Sequence, residues 1–197
     1  LVFALIIKLA SLASSAPIIV AFQCCLLFII GLLSRSMANH YGAPPNLVQA
    51  LTIFNPNLVG LAHLAQSDIL FAFLFASFTW IVICKLFNST HIERKTFLLL
   101  GGVLGLMMLT RDVGKVFVIM IIPVIFFSVY FQDRVPRSQW RYLLVNLLVS
   151  ACIAGTIYFP WMIRNSVVLN QLTATSSEGQ LRDNYAILIS HRDSISV

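Results

Sequence analysis

Three cations and two carboxylates fall in short polar breaks between long apolar runs: Asp68, then Arg111 with Asp112 and Lys115, then Arg164 beside Asn165. A carboxylate can take the proton of an attacking hydroxyl or amine, and guanidinium and ammonium groups stabilise negative charge developing on a departing phosphate. The set therefore suits an anionic lipid headgroup. A charge at the bilayer centre costs on the order of 3 kcal/mol on insertion scales and less near an interface, so such groups belong at span ends. Each residue also has a plainer reading. Asp68 opens an apolar run, where the macrodipole of a helix N-terminus favours a carboxylate. Arg111 and Lys115 can snorkel to an interface as anchors, and Arg164 beside Trp161 can do the same. At this level both readings stand.

The elements that must hold these residues follow from composition. Of 197 residues, 59% are hydrophobic and 10% charged, with a mean hydropathy of +0.90, whereas soluble domains carry about 25% charged residues. Crossing a hydrocarbon core of about 30 Å takes roughly 20 helical residues, and in lipid only helices or closed barrels satisfy their own backbone. The apolar runs do not alternate as barrel strands would. The expected fold is all-α, a polytopic transmembrane bundle of about six spans or partial spans, with domain 1–165 in the membrane and 166–197 an extracytoplasmic loop.

Along the chain, Leu1 to Leu12 reads as the end of a span and Ile18 to Leu33 as a second, followed by a polar loop, Ser34 to Pro44. Pro45 to Leu64 is a weaker stretch that Pro56, between Asn55 and Asn57, should kink or break. Asp68 opens Ile69 to Phe87, rich in Phe; Thr96 to Thr110 and Val116 to Phe131 are short runs joined by a tight turn; Tyr142 to Phe159 is the last span, flanked by Trp140 and Trp161. The polar stretch from Arg164 to Val197 reads as a surface loop.

Orientation follows from Lys and Arg retained on the cytoplasmic side. Alternate loops carry Arg35, then Lys85, Arg94 and Lys95, then Arg134, Arg137 and Arg141. Placing these inside puts Asp68, the Arg111 to Lys115 turn and the segment from Pro160 outside. The net charge of +6 sits in these loops with no basic face bearing interleaved aromatics, which argues against nucleic acid. Cys24, Cys25, Cys84 and Cys152 lack metal-site spacing and read as buried packing residues. The four histidines are too scattered for a metal site. Gly101 and Gly105 form a GxxxG pair, read as close helix packing, and Gln23 and Asn146 as interhelical hydrogen-bond formers. Asn88-Ser89-Thr90 fits a glycosylation acceptor, but on the cytoplasmic side the match is accidental.

The ordered motifs resemble the GT-C glycosyltransferases, specifically the dolichyl-phosphate-mannose protein mannosyltransferase-like proteins and the lipid A aminoarabinose transferases. They are Gln23, Asn55-Pro56-Asn57, Gln66-Ser67-Asp68, the Gly101 to Leu106 stretch leading to Leu109-Thr110-Arg111, and Pro160-Trp161-Met162-Ile163-Arg164-Asn165. The resemblance implies an integral membrane enzyme, in a bacterial cytoplasmic membrane, that passes a sugar from a polyprenyl-phosphate carrier to a protein, lipid or glycan acceptor on the outer face. It implies a catalytic role for Asp68 and donor-phosphate contacts from Arg111, Arg164 and Asn165, to which the charge pattern itself adds Lys115 as a phosphate-binding candidate. No cofactor follows from these residues, and they fix neither a divalent-metal requirement nor an oligomeric state. Asp112 stands where the family usually has proline. The chain opens inside an apolar segment at Leu1 and is expected to be a piece of a longer protein, inactive alone because the family's principal acid would precede it. Two other classes fit the same residues: a multi-pass transporter or flippase of lipid-linked or small solutes, and a non-catalytic membrane assembly protein.

Overall fold

A computed structural model describes residues 16–63, 68–86, 93–111, 113–117, 119 and 140–169. All regular structure among them is helical: α1 (Ala16–His40), α2 (Pro45–Ile53), α3 (Pro56–His63), α4 (Asp68–Trp80) continued by a π-helix (Ile81–Leu86), α5 (Arg94–Thr110) and α6 (Trp140–Leu169). The expected all-α membrane fold is therefore present. Three helices are long and apolar enough to cross a membrane, Ile18–His40, Asp68–Leu86 and Arg141–Val167. The expected six spans are not established, because α5 has 17 residues and α2 and α3 have 9 and 8.

α1 runs through the predicted polar loop. Ser34 to His40 are helical, and the helix stops where Gly42 adopts φ +69°, a left-handed conformation that glycine takes without steric cost. The Gly42 N–H donates to the Asn39 carbonyl and the Ala43 N–H to that of Ala38, at 3.4 and 3.0 Å. These bonds satisfy carbonyls the helix end would leave open. Pro45 then starts α2, whose missing N–H is no loss at a first turn. α2 runs back along α1, with Arg35 Nη1 donating to Gln49 Oε1 at 3.4 Å. The break expected at Pro56 is present between α2 and α3, and the Asn55 side-chain oxygen accepts the N–H groups of Asn57 and Leu58 at 3.0 and 3.4 Å. Pro56 thus ends one helix and begins the next.

α4 lies parallel to α1, tied by the Trp80 indole N–H donating to Ser36 Oγ at 3.0 Å. α5 and α6 also run parallel, and the GxxxG pair makes their seam as expected. A Cβ on Gly101 would stand 2.6 Å from the Ser150 carbonyl oxygen, and one on Gly105 would stand 2.9 Å from Ile157 Cβ. The close approach lets the Ser150 hydroxyl donate to the Phe97 carbonyl at 2.7 Å. Leu26, Ile30, Leu74, Phe97, Leu104 and Leu147 join the helices in one core. Leu98, Leu99, Leu144, Val145 and Leu148 face outward, as a lipid-facing surface requires.

Several expectations are corrected. α6 does not end at Phe159 but passes through Pro160 to Leu169, so Arg164 and Asn165 are helical residues and no surface loop begins there. One lost hydrogen bond at proline is offset by Trp161 and Met162 packing beside Leu109 and Tyr158. Cys24, Cys25 and Cys152 lie on the exposed face and Cys84 is half-buried, so they do not fill the core. Asn146 is buried, but its amide donates within its own helix, to the Tyr142 carbonyl at 2.8 Å. The span read over Leu1 to Leu12, the Asn88 acceptor, the span beyond residue 119 and the segment from residue 170 lie outside the described residues.

Candidate functional site at the Asp68 end of the bundle

The parallel and antiparallel pairings decide which chain breaks share an end. α4 starts at one end of the bundle, and α5 finishes there because it runs opposite to α4. α6, parallel to α5, carries its Tyr158 to Leu169 part to the same end. On that end Asp68 and Arg111 form an ion pair, Nη2 to Oδ1 at 2.7 Å, with Asp68 19% and Arg111 48% exposed in their side chains. Residues 43 apart in sequence are thus joined across two helices.

Local backbone explains how Arg111 reaches Asp68. Thr110 ends α5, and Arg111 is extended at φ −149°, ψ 146°, its N–H donating to the Met107 carbonyl. The Gly114 N–H then donates to the Arg111 carbonyl at 2.9 Å, starting the helical turn 113–117. Gly114 packs so tightly on the end of α5 that a Cβ would stand 2.4 Å from the Met107 carbonyl oxygen. This turn delivers Lys115, whose Nζ lies 5.6 Å from the ring centroid of Tyr158. Asp112, the second carboxylate of the sequence reading, lies outside the described residues.

Arg164 and Asn165 take a different position. Arg164 Cζ lies 4.7 Å from the Trp161 ring centroid, and its Nη1 donates to Asn165 Oδ1 at 3.3 Å. Asn165 is 4% exposed. Six residues along a helix span about 9 Å, so Arg164 sits farther along the α6 axis than Tyr158. The charged residues thus make three contacts at this end: the Asp68–Arg111 pair, Lys115 on Tyr158 and Arg164 on Trp161. Arg164 is stacked as an interfacial anchor would be, and the plain and functional readings coincide there.

Two charges about 4 Å apart attract by about 4 kcal/mol at an effective dielectric of about 20, but a water-exposed pair contributes only about 0–1 kcal/mol net. With Arg111 half exposed, the pair is a weak staple. Its arrangement supplies a carboxylate and a planar, fork-shaped cation side by side at a span end, suited to a proton on one side and a phosphate on the other.

Reading the sequence missed Tyr158. Its signal was available: Tyr158, Trp161 and Asn165 recur at helical spacing on one face of α6. Gln23 is fully buried, and the Ser36 to Trp80 register, an offset of 44 from 80 − 36, places it close to the height of Asp68. Among the described residues no three His, Cys, Asp or Glu side chains gather to hold a metal. Compared with protein-family models, with curated proteins and with solved structures, the chain matches none.

Proposed function

We propose that the chain contributes the carrier-binding side of a GT-C type membrane glycosyltransferase, acting on the outer face of a bacterial cytoplasmic membrane. The enzyme would move a sugar from a polyprenyl-phosphate carrier to a protein, lipid or glycan acceptor. The observation that carries the reading is the Asp68–Arg111 pair, with Lys115 on Tyr158 at the same end of the bundle. In the reaction an acceptor oxygen or nitrogen attacks the anomeric carbon and the bond from that carbon to the phosphate oxygen breaks. The carrier phosphate leaves with the electron pair, and Asp68 takes the proton of the acceptor. Arg111 and Lys115 stabilise the charge on the leaving phosphate. Arg164 and Asn165 hold the outer rim.

The test uses the complete reading frame in membrane vesicles supplied with radiolabelled polyprenyl-phosphate sugars. Asp68→Asn and Arg111→Ala are each expected to lower transfer roughly 100-fold or more, the scale of removing one charge-stabilising group, with membrane insertion unchanged. Full activity in both variants sinks the assignment. The break between α2 and α3 supports a second reading, transport, since interrupted helices often form substrate sites in transporters. Carrier-dependent movement of solute without sugar transfer would favour it.

A further inference from the structure

The opposite end of the bundle holds a cleft lined by charged and apolar side chains. It has a volume of about 320 Å³ and is lined by Trp80, Lys85, Glu93, Lys95, Thr96 and Leu99 over Ile81. Lys85 lies 17 residues along its helix from Asp68, so the cleft is separated from the site described above by most of a membrane thickness. None of its residues takes part in the proposed transfer.

The cleft is built by the π-helix. Positions five apart in an α-helix of 3.6 residues per turn sit about 140° apart around the axis, which would point Lys85 away from Trp80. The π-helix over Ile81–Leu86 closes i to i+5 instead and brings such positions onto one face; single turns of this kind recur at functional sites. Lys85 Nζ accordingly lies 5.5 Å from the Trp80 ring centroid. The indole is itself oriented by its bond to Ser36 Oγ at 3.0 Å. From the facing helix, the first turn of α5 contributes Lys95 and Thr96. Neither lysine has a carboxylate within ion-pair distance among the described residues.

We infer that this cleft binds the phosphate of an anionic phospholipid headgroup. Two lysines from different helices line it together with Thr96, whose hydroxyl is a further donor, a set that suits one phosphate. Glu93 at the rim can accept a hydrogen bond from a headgroup hydroxyl. The lipid source is favoured over free phosphate because Leu99, 62% exposed, forms one wall, with Leu98 also outward-facing beside it. The cleft thus places its lysines beside an apolar helix face, where acyl chains lie. The same end also carries Arg35, Arg94 and Arg141, a field that draws anionic headgroups.

The test is titration of the delipidated, detergent-solubilised protein with short-chain phosphatidylglycerol, phosphatidylcholine or inorganic phosphate, read by native mass spectrometry and thermal unfolding. Saturable binding of phosphatidylglycerol and a rise in Tm are expected, with neither from phosphatidylcholine. A Lys85→Gln/Lys95→Gln variant should bind roughly thirtyfold more weakly, from the contribution of two lysines near an anionic surface. Arg141→Gln, an exposed charge on α6 outside the cleft lining, should change affinity less than about threefold, since more distant exposed charges are screened. Equal loss in Arg141→Gln and in the double variant would show a diffuse field and overturn the site. An equal effect from inorganic phosphate would overturn the lipid assignment.

Discussion

Alanine placed at two adjacent glycines of α5 should have opposite effects on stability. A Cβ at Gly101 meets the Ser150 carbonyl oxygen at 2.6 Å and Ser150 Cα and Ile153 Cβ at 3.0 Å, whereas one at Gly102 meets nothing within 4 Å. Two of the atoms at Gly101 belong to backbone, so no rotamer change relieves the contact. α6 must move away by several tenths of an ångström or more. Overpacking of this kind costs about 1–3 kcal/mol. The displacement also strains the Ser150 to Phe97 hydrogen bond, and interhelical bonds in membranes average about 0.6 kcal/mol. Replacing glycine by alanine returns up to about 1 kcal/mol of helix propensity at either site. Gly101→Ala is therefore expected to destabilise by about 0.6–2.6 kcal/mol, and Gly102→Ala to stabilise by up to about 1 kcal/mol. The propensity contribution cancels in the comparison, leaving about 1.6–3.6 kcal/mol between the variants, roughly 15-fold to several hundred-fold in the unfolding constant. Reversible unfolding in mixed micelles, followed by circular dichroism, measures it. Equal stabilities would refute the α5–α6 seam and, with it, the placing of Lys115 beside α6.

The remaining predictions address the site, the break and the topology. Tyr158→Phe should keep Lys115 in place, because the ring face attracts the cation, while Tyr158→Leu removes an attraction of about 0.5–2 kcal/mol and should weaken carrier-phosphate binding by a few-fold to about thirtyfold; equal affinity in the two variants argues against the Lys115 placement. Asn55→Ala should destabilise the α2–α3 junction by about 1 kcal/mol through loss of a cap, and Asn55→Asp should restore it; unfolding in mixed micelles measures both, and an unchanged Asn55→Ala variant counts against the cap. In a cysteine-free background, Tyr41→Cys and Val113→Cys should react with a membrane-impermeant maleimide from opposite sides of oriented vesicles; labelling from one side overturns the placement of these exposed residues at opposite ends.

By itself the sequence determined the class of the fold, because apolar length and scarcity of charge leave helices in lipid as the available solution. It also marked the helix break, since Asn55 followed by Pro56 and Asn57 combines a side-chain cap with a residue lacking an N–H. The Gly101 and Gly105 seam was legible for a similar local reason: two hydrogen side chains one turn apart admit a neighbouring backbone. Other features were decided by tertiary packing. Pro160 reads locally as an end of helix, yet the helix continues to Leu169, with Tyr158, Trp161 and Met162 on either side of the proline packed together with Leu109. The π-helix after Trp80 has no periodic signal in a run that is apolar but for Lys85. The candidate site shows the division most clearly. The residue types at Asp68, Arg111, Lys115, Arg164 and Asn165 could be picked out from polar breaks in apolar sequence. That Asp68 touches Arg111 and Lys115 turns to Tyr158 depends on which helices run parallel and how closely they approach, whereas Arg164 meets Trp161 within α6 itself. Side chains tens of residues apart acquire a partner only when packing brings their helices to a common end.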